Sequence, residues 1–370
     1  MKRFLKIIGI IFTVSITVLY LISCLTAYIS SEWFSLLTIF SIGYLLILPV
    51  YVVTAVVWLF SKRKAGFLLL ILTLAGYKNI TSTVAFNILT AHHKNKPDSA
   101  LRVMTWNVNE FVNDQIIADS PNNARRKIFK FIKEMQPDVL CIQDMVENSA
   151  PGYLSNIKEL RDYLQYNNYH YSNYSRLSSG ISNLYYGVAI FSKLPLADSG
   201  SVSLHSAGSL ERIAYIDIHY QKKPLRIFTA HLSSMSLWPS DKPGVKYVVG
   251  DSTEIKLKSI FSKLRHYGKM HAQQAEIIRK TIDTTIIPKI FCGDLNSVPS
   301  SNVHQRIKGN LNDVFLERGF LFGGTYNRVF PKIRIDVVFH SDALLNVNYY
   351  RPELNYSDHL PIVADFKWKE

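Results

Sequence analysis

Hydrophobic and polar residues are distributed very unevenly along this chain. Ile7 to Ile29 is an uncharged apolar run, and Phe34 to Phe60 is a second. Each is longer than the roughly 20 residues that carry a helix across a bilayer core. A third stretch, Ala65 to Leu89, is apolar for its first half and then meets Lys78. It is the weakest of the three, because a charge inside a span is costly unless it snorkels or pairs. Beyond Leu101 the pattern changes to short apolar runs of strand length, each closed by polar residues and interleaved with helical stretches.

The strand-like runs are Leu101–Asn109, Pro137–Asp144, Tyr186–Pro195, Arg226–Leu232, Ile290 into Gly293-Asp294-Leu295-Asn296, Ile333–Phe339, and Ile362-Val363-Ala364 after Ser357-Asp358-His359-Leu360-Pro361. The helical stretches are Asn123–Met135, Tyr153–Tyr163 and Ser252–Thr281. Strands alternating with helices predict an α/β domain. A polar stretch with one proline, His92 to Ser99, reads as a linker. The expected organisation is a membrane anchor of two to three transmembrane helices over 1–91, a linker over 92–99 and one domain over 100–370, long enough to bury a large core.

Charge sets an orientation for the anchor. Lys2, Arg3 and Lys6 precede the first run, and Lys62, Arg63 and Lys64 follow the second, whereas Ser30-Ser31-Glu32-Trp33 between them carries no basic residue. The positive-inside rule places both basic clusters in the cytoplasm. If the third stretch spans, the domain lies on the far side of the membrane; if it does not, the domain is cytoplasmic. Three spans are expected. Leu21-Ile22-Ser23-Cys24 resembles a lipoprotein processing site, but a second long span directly afterwards favours an uncleaved anchor over a signal peptide.

The net charge of +14 is otherwise spread through the domain, densest at Lys256-Leu257-Lys258, Lys263 and Arg265. A solvated helix face explains that density. A basic surface also suits a polyanionic substrate or an anionic membrane, yet the aromatic-interleaved basic pattern of a nucleic-acid groove is absent. Cys24 falls in a span, and Cys141 and Cys292 fall in apolar strands. Cys141 and Cys292 read as small buried hydrophobes, and the cysteine spacing fits no zinc motif.

The chemistry lies at the strand ends. Asp294, Asn296, Asp358 and His359 put carboxylates, an amide and an imidazole beside apolar strands. Hard oxygen ligands suit a hydrated Mg²⁺ and a phosphate. Either phrase alone reads as a polar turn. Taken with Asn109, Asp144, His231 and Asp336 in strand context, the order of seven motifs from about Leu101 to the end resembles the endonuclease/exonuclease/phosphatase superfamily of Mg²⁺-dependent phosphodiesterases.

That resemblance implies two packed, mainly antiparallel β-sheets flanked by helices, a four-layer α/β/β/α sandwich preceded here by transmembrane helices. It implies Asn107, Asp144 and Asp358 as ligands of Mg²⁺ or Mn²⁺. Asp144 departs from the family's usual Glu and loses one methylene of reach, so that the ion shifts, a water intervenes, or Glu147 assists; a plain turn carboxylate is the alternative. Asp294 matches the residue that aligns or deprotonates the attacking water. Asn296 matches a phosphate- or water-holding amide, and Gly293 permits close backbone approach. His359 matches the imidazole at a phosphoryl oxygen, and His231 its partner near the leaving group. Asp336, a strand acid that must be paired if buried, is the expected orienter of His359. Arg212, in Glu211-Arg212-Ile213-Ala214, matches a phosphate-binding arginine, and Tyr326 lies in a family loop near substrate. The long Ser233–Glu254 loop, with Trp238, Pro239, Pro243 and Tyr247, is a lid, a lipid-facing loop or packing.

The implied function is hydrolysis of a phosphate ester by a monomer anchored in a bacterial inner membrane, with the domain periplasmic or otherwise extracytoplasmic. The substrate's class (lipid head group, nucleotide or nucleic acid) stays open. Two other readings stand beside it: an extracellular-side DNA endonuclease, and a membrane-bound binding protein with a weakened site, suggested by Asp144.

Overall fold

The computed structural model describes residues 2–34, 36–88, 90, 93–112, 123–148, 155–176, 184–204, 210–234 and 253–370. Most of the Ser233–Glu254 loop lies outside them. The chain forms two compact units: Met1–Val84 with Ser234–Ala272 and Ser297–Arg306, and Ala85–Ser233 with Gln273–Asn296 and Ile307–Glu370.

In the first unit the apolar runs are helices: α1 (Lys2–Cys24), α2 (Leu37–Ser61), α3 (Arg63–Thr73) and α4 (Tyr77–Thr83), the last two joined by a 3₁₀ turn at Leu74–Gly76. Three stretches, Arg3–Ala27, Leu37–Ser61 and Arg63–Thr83, are long and apolar enough to cross a membrane. The third therefore starts and stops earlier than the Ala65–Leu89 run expected from hydropathy. Beyond Thr83 the chain turns extended. Tyr20 and Tyr51 stack with ring centroids 4.2 Å apart, and the Tyr20 hydroxyl donates to Thr73 O at 2.7 Å. A β-carbon on Gly76 would stand 2.1 Å from that hydroxyl, so only glycine fits the turn. Lys78 finds partners at the end of α1: its Nζ donates to Ala27 O at 3.2 Å and lies 4.6 Å from the centre of the Tyr28 ring.

Among the described residues the second unit holds fourteen strands. They are β1 (Ala85–Phe86), β2 (Leu101–Asn107), β3 (Val139–Asn148), β4 (Asn168–Arg176), β5 (Leu184–Ser192), β6 (Leu196–Ser203), β7 (Arg212–Tyr220), β8 (Lys223–His231), β9 (Lys289–Asp294), β10 (Asn312–Asp313), β11 (Phe320–Leu321), β12 (Asp336–His340), β13 (Leu344–Tyr350) and β14 (Ile362–Trp368). One six-stranded sheet runs β13-β14-β2-β3-β5-β4 and the other β10-β12-β9-β8-β7-β6, while β1 and β11 pair separately.

Both sheets are built alike. Each has one central parallel pair, β2 with β3 and β8 with β9, and otherwise antiparallel neighbours. A parallel pair brings two C-terminal strand ends to one edge, and an antiparallel neighbour starts at that same edge. This is why so many strand ends converge.

Alternation explains the layers. Val103, Val139, Cys141 and Ile190 meet Ile216, Ile227, Ile290, Cys292 and Val338 between the sheets. Met104, Trp106, Leu140, Ile142 and Phe191 face the other way, onto Ile128, Phe129 and Ile132 of helix Ala124–Met135 and onto Leu160 and Leu164. Strands buried on both faces read as continuous apolar runs. Cys24, Cys141 and Cys292 are free and buried. Asn123 caps helix Ala124–Met135 by accepting from Arg126 N.

Candidate active site

The two parallel pairs deliver the predicted polar residues. His231 ends β8 and lies in register with Asp294 at the end of β9, which lies in register with Asp336 at the start of β12. Three side chains thus form a row across three strands. Asp336 opens its strand rather than lying inside it, as the Ile333–Phe339 run had implied. Ile333 forms only an isolated bridge with Tyr326.

His359 Nδ1 faces both oxygens of Asp336, at 2.9 and 3.1 Å. A buried imidazole resists protonation, but Asp336 and then Asp294 more than offset that cost and raise it to about 10. Its Nε2 stands 3.7 Å from Asp294 Oδ2, and His231 Nε2 stands 3.6 Å from the same oxygen. Both distances are too long for a hydrogen bond.

Asp294 is fixed from two sides. Asn107 Nδ2 donates to its Oδ2 at 2.9 Å, and Asn296 N donates to its Oδ1 at 2.8 Å. Burial pushes its carboxyl above the ordinary range, opposed by His359, reinforced by Asp336, and opposed again by His231. Asn296 takes a left-handed backbone with φ of 44°. Its amide nitrogen donates to Leu232 O at 2.8 Å and faces His231 Nε2 at 3.2 Å.

Asp144 was expected at the end of its strand. Instead β3 continues to Asn148, and Asp144 sits in a break of register between Ile142 and Met145, at φ of 53°. Such a bulge re-aims one side chain without ending the strand. Burial raises the Asp144 carboxyl; His231 and His359 pull it down, while Asp294 and Asp358 push it up. Asp144 therefore shares the field of the other site residues. Glu147 does not assist it: its carboxylate accepts from Ile157 N at 2.9 Å, at the start of helix Asn156–Leu164.

Asp358 lies beside His359, and Arg328 Nε approaches its Oδ2 at 3.5 Å. Tyr326 pairs with His359 through an isolated bridge, its ring centroid 4.9 Å from the imidazole. Arg212 flanks this group: Ile213 is in register with Ala230, one step before His231, yet the Arg212 Nε donates to Ser201 Oγ at 3.0 Å. Burial, then Arg212, lowers the His170 imidazole.

Several supporting residues were given no role by the sequence, although some lie within its motifs. Thr325 Oγ1 accepts from Ile335 N and Asp336 N, both at 3.1 Å. The Trp106 indole donates to His359 O at 2.9 Å. Ser357 Oγ donates to Asn107 O at 2.9 Å and accepts from His359 N at 3.2 Å. Between the sheets, Gln143 Nε2 donates to Thr105 Oγ1 at 2.9 Å and Thr229 Oγ1 at 2.7 Å. A buried threonine or glutamine looks like filler until its partner is known.

Asp294, Asp336 and His359 offer ligand atoms within 4.8 Å of one another. Within that group, however, His359 Nδ1 and Asp336 are engaged with each other. The Asn107, Asp144 and Asp358 set fits a hard divalent ion on donor chemistry. It is all oxygen, Asp144 is raised by burial and by neighbouring acids, and Asn107 Oδ1 accepts only one described bond, from Asn109 N.

A family model described as "Endonuclease/Exonuclease/phosphatase family" matches residues 104–359, and a model of a domain of unknown function matches residues 3–83. No curated protein matches the chain. Among solved structures, the human Nocturnin catalytic domain with bound sulfate is similar at 18% identity and TM-score 0.53, over 74% of this chain and 97% of that one. An endonuclease/exonuclease/phosphatase from Beutenbergia cavernae gives 18% identity and TM-score 0.51, over 73% and 72%. Humanized D. rerio TDP2 gives 15% identity and TM-score 0.50, over 73% and 100%. The chain belongs to the endonuclease/exonuclease/phosphatase family, a family of phosphoester hydrolases.

Proposed function

We propose that the chain is a divalent-metal-dependent phosphodiesterase or phosphatase anchored by three helices in a bacterial inner membrane, with its catalytic unit on the extracytoplasmic side. The observation that carries the reading is the Asp336–Asp294–His231 row, closed by His359 against Asp336.

Attack on a phosphate ester needs a positioned water, charge neutralisation on the phosphoryl oxygens and a proton or cation for the leaving oxygen. Asp294, with its carboxyl raised by burial and both imidazoles close to its Oδ2, suits the proton-accepting role toward the attacking water. His359, kept cationic by Asp336, suits donation to a phosphoryl oxygen. His231 suits the leaving-group side. Asn296 fixes His231 and leaves its carbonyl oxygen for the reacting group. When bound by Asn107, Asp144 and Asp358, a divalent cation supplies positive charge to the phosphate. Arg328 and Tyr326 border this space and suit contact with substrate.

The test is hydrolysis of bis-p-nitrophenyl phosphate by the full chain in detergent. Activity should vanish with chelator and return with Mg²⁺ or Mn²⁺, while Zn²⁺ should do poorly, since no thiolate joins the oxygen ligands. Asp144→Glu should keep or improve metal affinity. Turnover indifferent to chelator would remove the metal. Metal binding lost in Asp144→Glu yet intact in Asp144→Ala would remove Asp144 from the ligand set.

A further inference from the structure

We infer that the apolar helices do more than tether the enzyme: through Asn79 and Thr26 they clamp the loop that leaves the catalytic motif, so that both are positioning residues for Asp294 and Asn296. The inference rests on the hydrolase reading above.

Polar side chains collect at one end of the helix bundle. They are Ser23 at the end of α1, Thr26 just after it, Ser41 early in α2, and Asn79 and Ser82 in α4, and all are buried. The opposite end carries Lys62, Arg63 and Lys64. Buried polar groups among apolar helices are costly unless they are bonded. Ser23 and Ser41 bond within their own helices, whereas Thr26, Asn79 and Ser82 reach one segment of the same compact unit, Ser297–Arg306, a loop that runs into helix Asn302–Lys308.

Asn79 is fully buried, and its Nδ2 lies 3.2 Å from each of Ser23 O, Thr26 Oγ1 and Ser300 O. Thr26 Oγ1 lies 2.7 Å from both Ser300 O and Ser23 O, and Ser82 Oγ lies 3.2 Å from Pro299 O and 3.0 Å from Asn79 O, so each hydroxyl shares its one proton between the loop and its own helix. In return Ser300 Oγ donates to Ser41 O at 2.9 Å. Asn302 Nδ2 reaches Ala27 O at 3.4 Å and Tyr28 O at 3.3 Å. Loop carbonyls of this kind normally face water. Here Ser300 O is met by Thr26 and Asn79 of the helices, and Pro299 O by Ser82 together with Gln305 Nε2 at 2.7 Å.

The loop starts at Ser297, directly after Asn296. Asn296 is left-handed, a conformation that asparagine tolerates better than most residues. Its backbone N–H bonds Asp294, and its side chain faces His231. A loop held four residues downstream, at Ser300, limits how far Asn296 can drift. Misplacement of about 1 Å in a catalytic constellation costs on the order of 10²-fold in rate.

The experiment uses the full chain in detergent, with bis-p-nitrophenyl phosphate as a small soluble substrate, and compares Asn79→Ala, Thr26→Val and Trp58→Phe. Trp58 Nε1 donates to Thr13 Oγ1 at 2.7 Å, a bundle bond remote in sequence from the loop and its receivers. Three readouts are taken: kcat and KM, Mn²⁺ affinity by electron paramagnetic resonance, and hydrogen exchange of the Ser297–Arg306 amides. The clamp predicts kcat lower by about 10- to 100-fold in Asn79→Ala or Thr26→Val. KM and Mn²⁺ affinity should be unchanged, exchange should be faster over Ser297–Arg306, and Trp58→Phe should turn over like wild type. Wild-type kcat in both loop-facing variants would overturn the clamp while leaving the hydrolase reading intact. So would an equal loss in Trp58→Phe, which would mean general loosening of the bundle. Absence of turnover in the wild-type chain would remove both. Thr26→Val is nearly isosteric and keeps the test decisive if Asn79→Ala fails to fold.

Discussion

His359 is held from three directions. Asp336 binds its Nδ1, Tyr326 lies beside its ring, and Trp106 donates to its main-chain oxygen. Its imidazole is raised from 6.5 to about 10 although burial opposes the charge, because Asp336 and Asp294 outweigh it. In metal-free protein the His359 ring signal in NMR should therefore stay protonated through neutral pH and titrate near pH 10; in Asp336→Asn it should titrate well below that. The sign follows from linkage: a raised folded pKa contributes stability fully below about 6.5, and that contribution is lost as pH climbs through about 10. A ring that titrates near 6.5 in the wild-type chain would refute the pairing. For catalysis, His359→Ala and His231→Ala should each lower kcat by about 10²–10⁴-fold, the range for general acid–base groups. Full activity in either would cancel that residue's role. At this scale Asp294, Asn296 and His359 were legible because their signal is local: a polar phrase beside an apolar strand. Glu147 misled because nearness in sequence says nothing about which helix start a carboxylate caps.

Elements decide which way those residues point. Asp144 looked like a strand end, but β3 runs on past it through a bulge, so its aim comes from broken pairing with β5 rather than from a turn. Asp336 opens β12 because Thr325 receives the two backbone N–H groups there, of Ile335 and Asp336, where a strand partner would otherwise stand. Thr325→Val keeps the shape and removes that acceptor. Each buried N–H left unpaired costs about 1–3 kcal/mol. The variant should melt at lower temperature and lose turnover beyond what its stability loss explains at a temperature where it remains folded. Wild-type turnover in Thr325→Val would show that Asp336 is positioned without it. Nothing in Gly324-Thr325-Tyr326 announces this role, since the distance to Asp336 in sequence is closed only when Leu360 N and Ile333 O clasp the loop.

At the scale of the molecule, three apolar stretches frame one topological question. Lys78 weakened the third as a span, and the structure supplies its partners at Ala27 and Tyr28, at the end of α1 away from the basic clusters. Two fusions test the proposed orientation. A C-terminal alkaline phosphatase fusion should be active, and a C-terminal green fluorescent protein fusion exported by the general secretory route should be dark. The reverse pattern would put the catalytic unit in the cytoplasm.

The amino-acid order alone determined the apolar helices, the α/β alternation and the polar phrases that make up the candidate site, because hydrophobic period and turn residues act over a few neighbours. It could not show that His231, Asp294 and Asp336 form one row, since that row depends on register between strands far apart in the chain. Nor could it show that Asn79 and Thr26, polar residues in or beside apolar helices, bond the backbone of a loop more than 200 residues away. Those partners are chosen by packing. Burial makes an unpaired polar group expensive, and only the folded chain reveals which distant group relieves it.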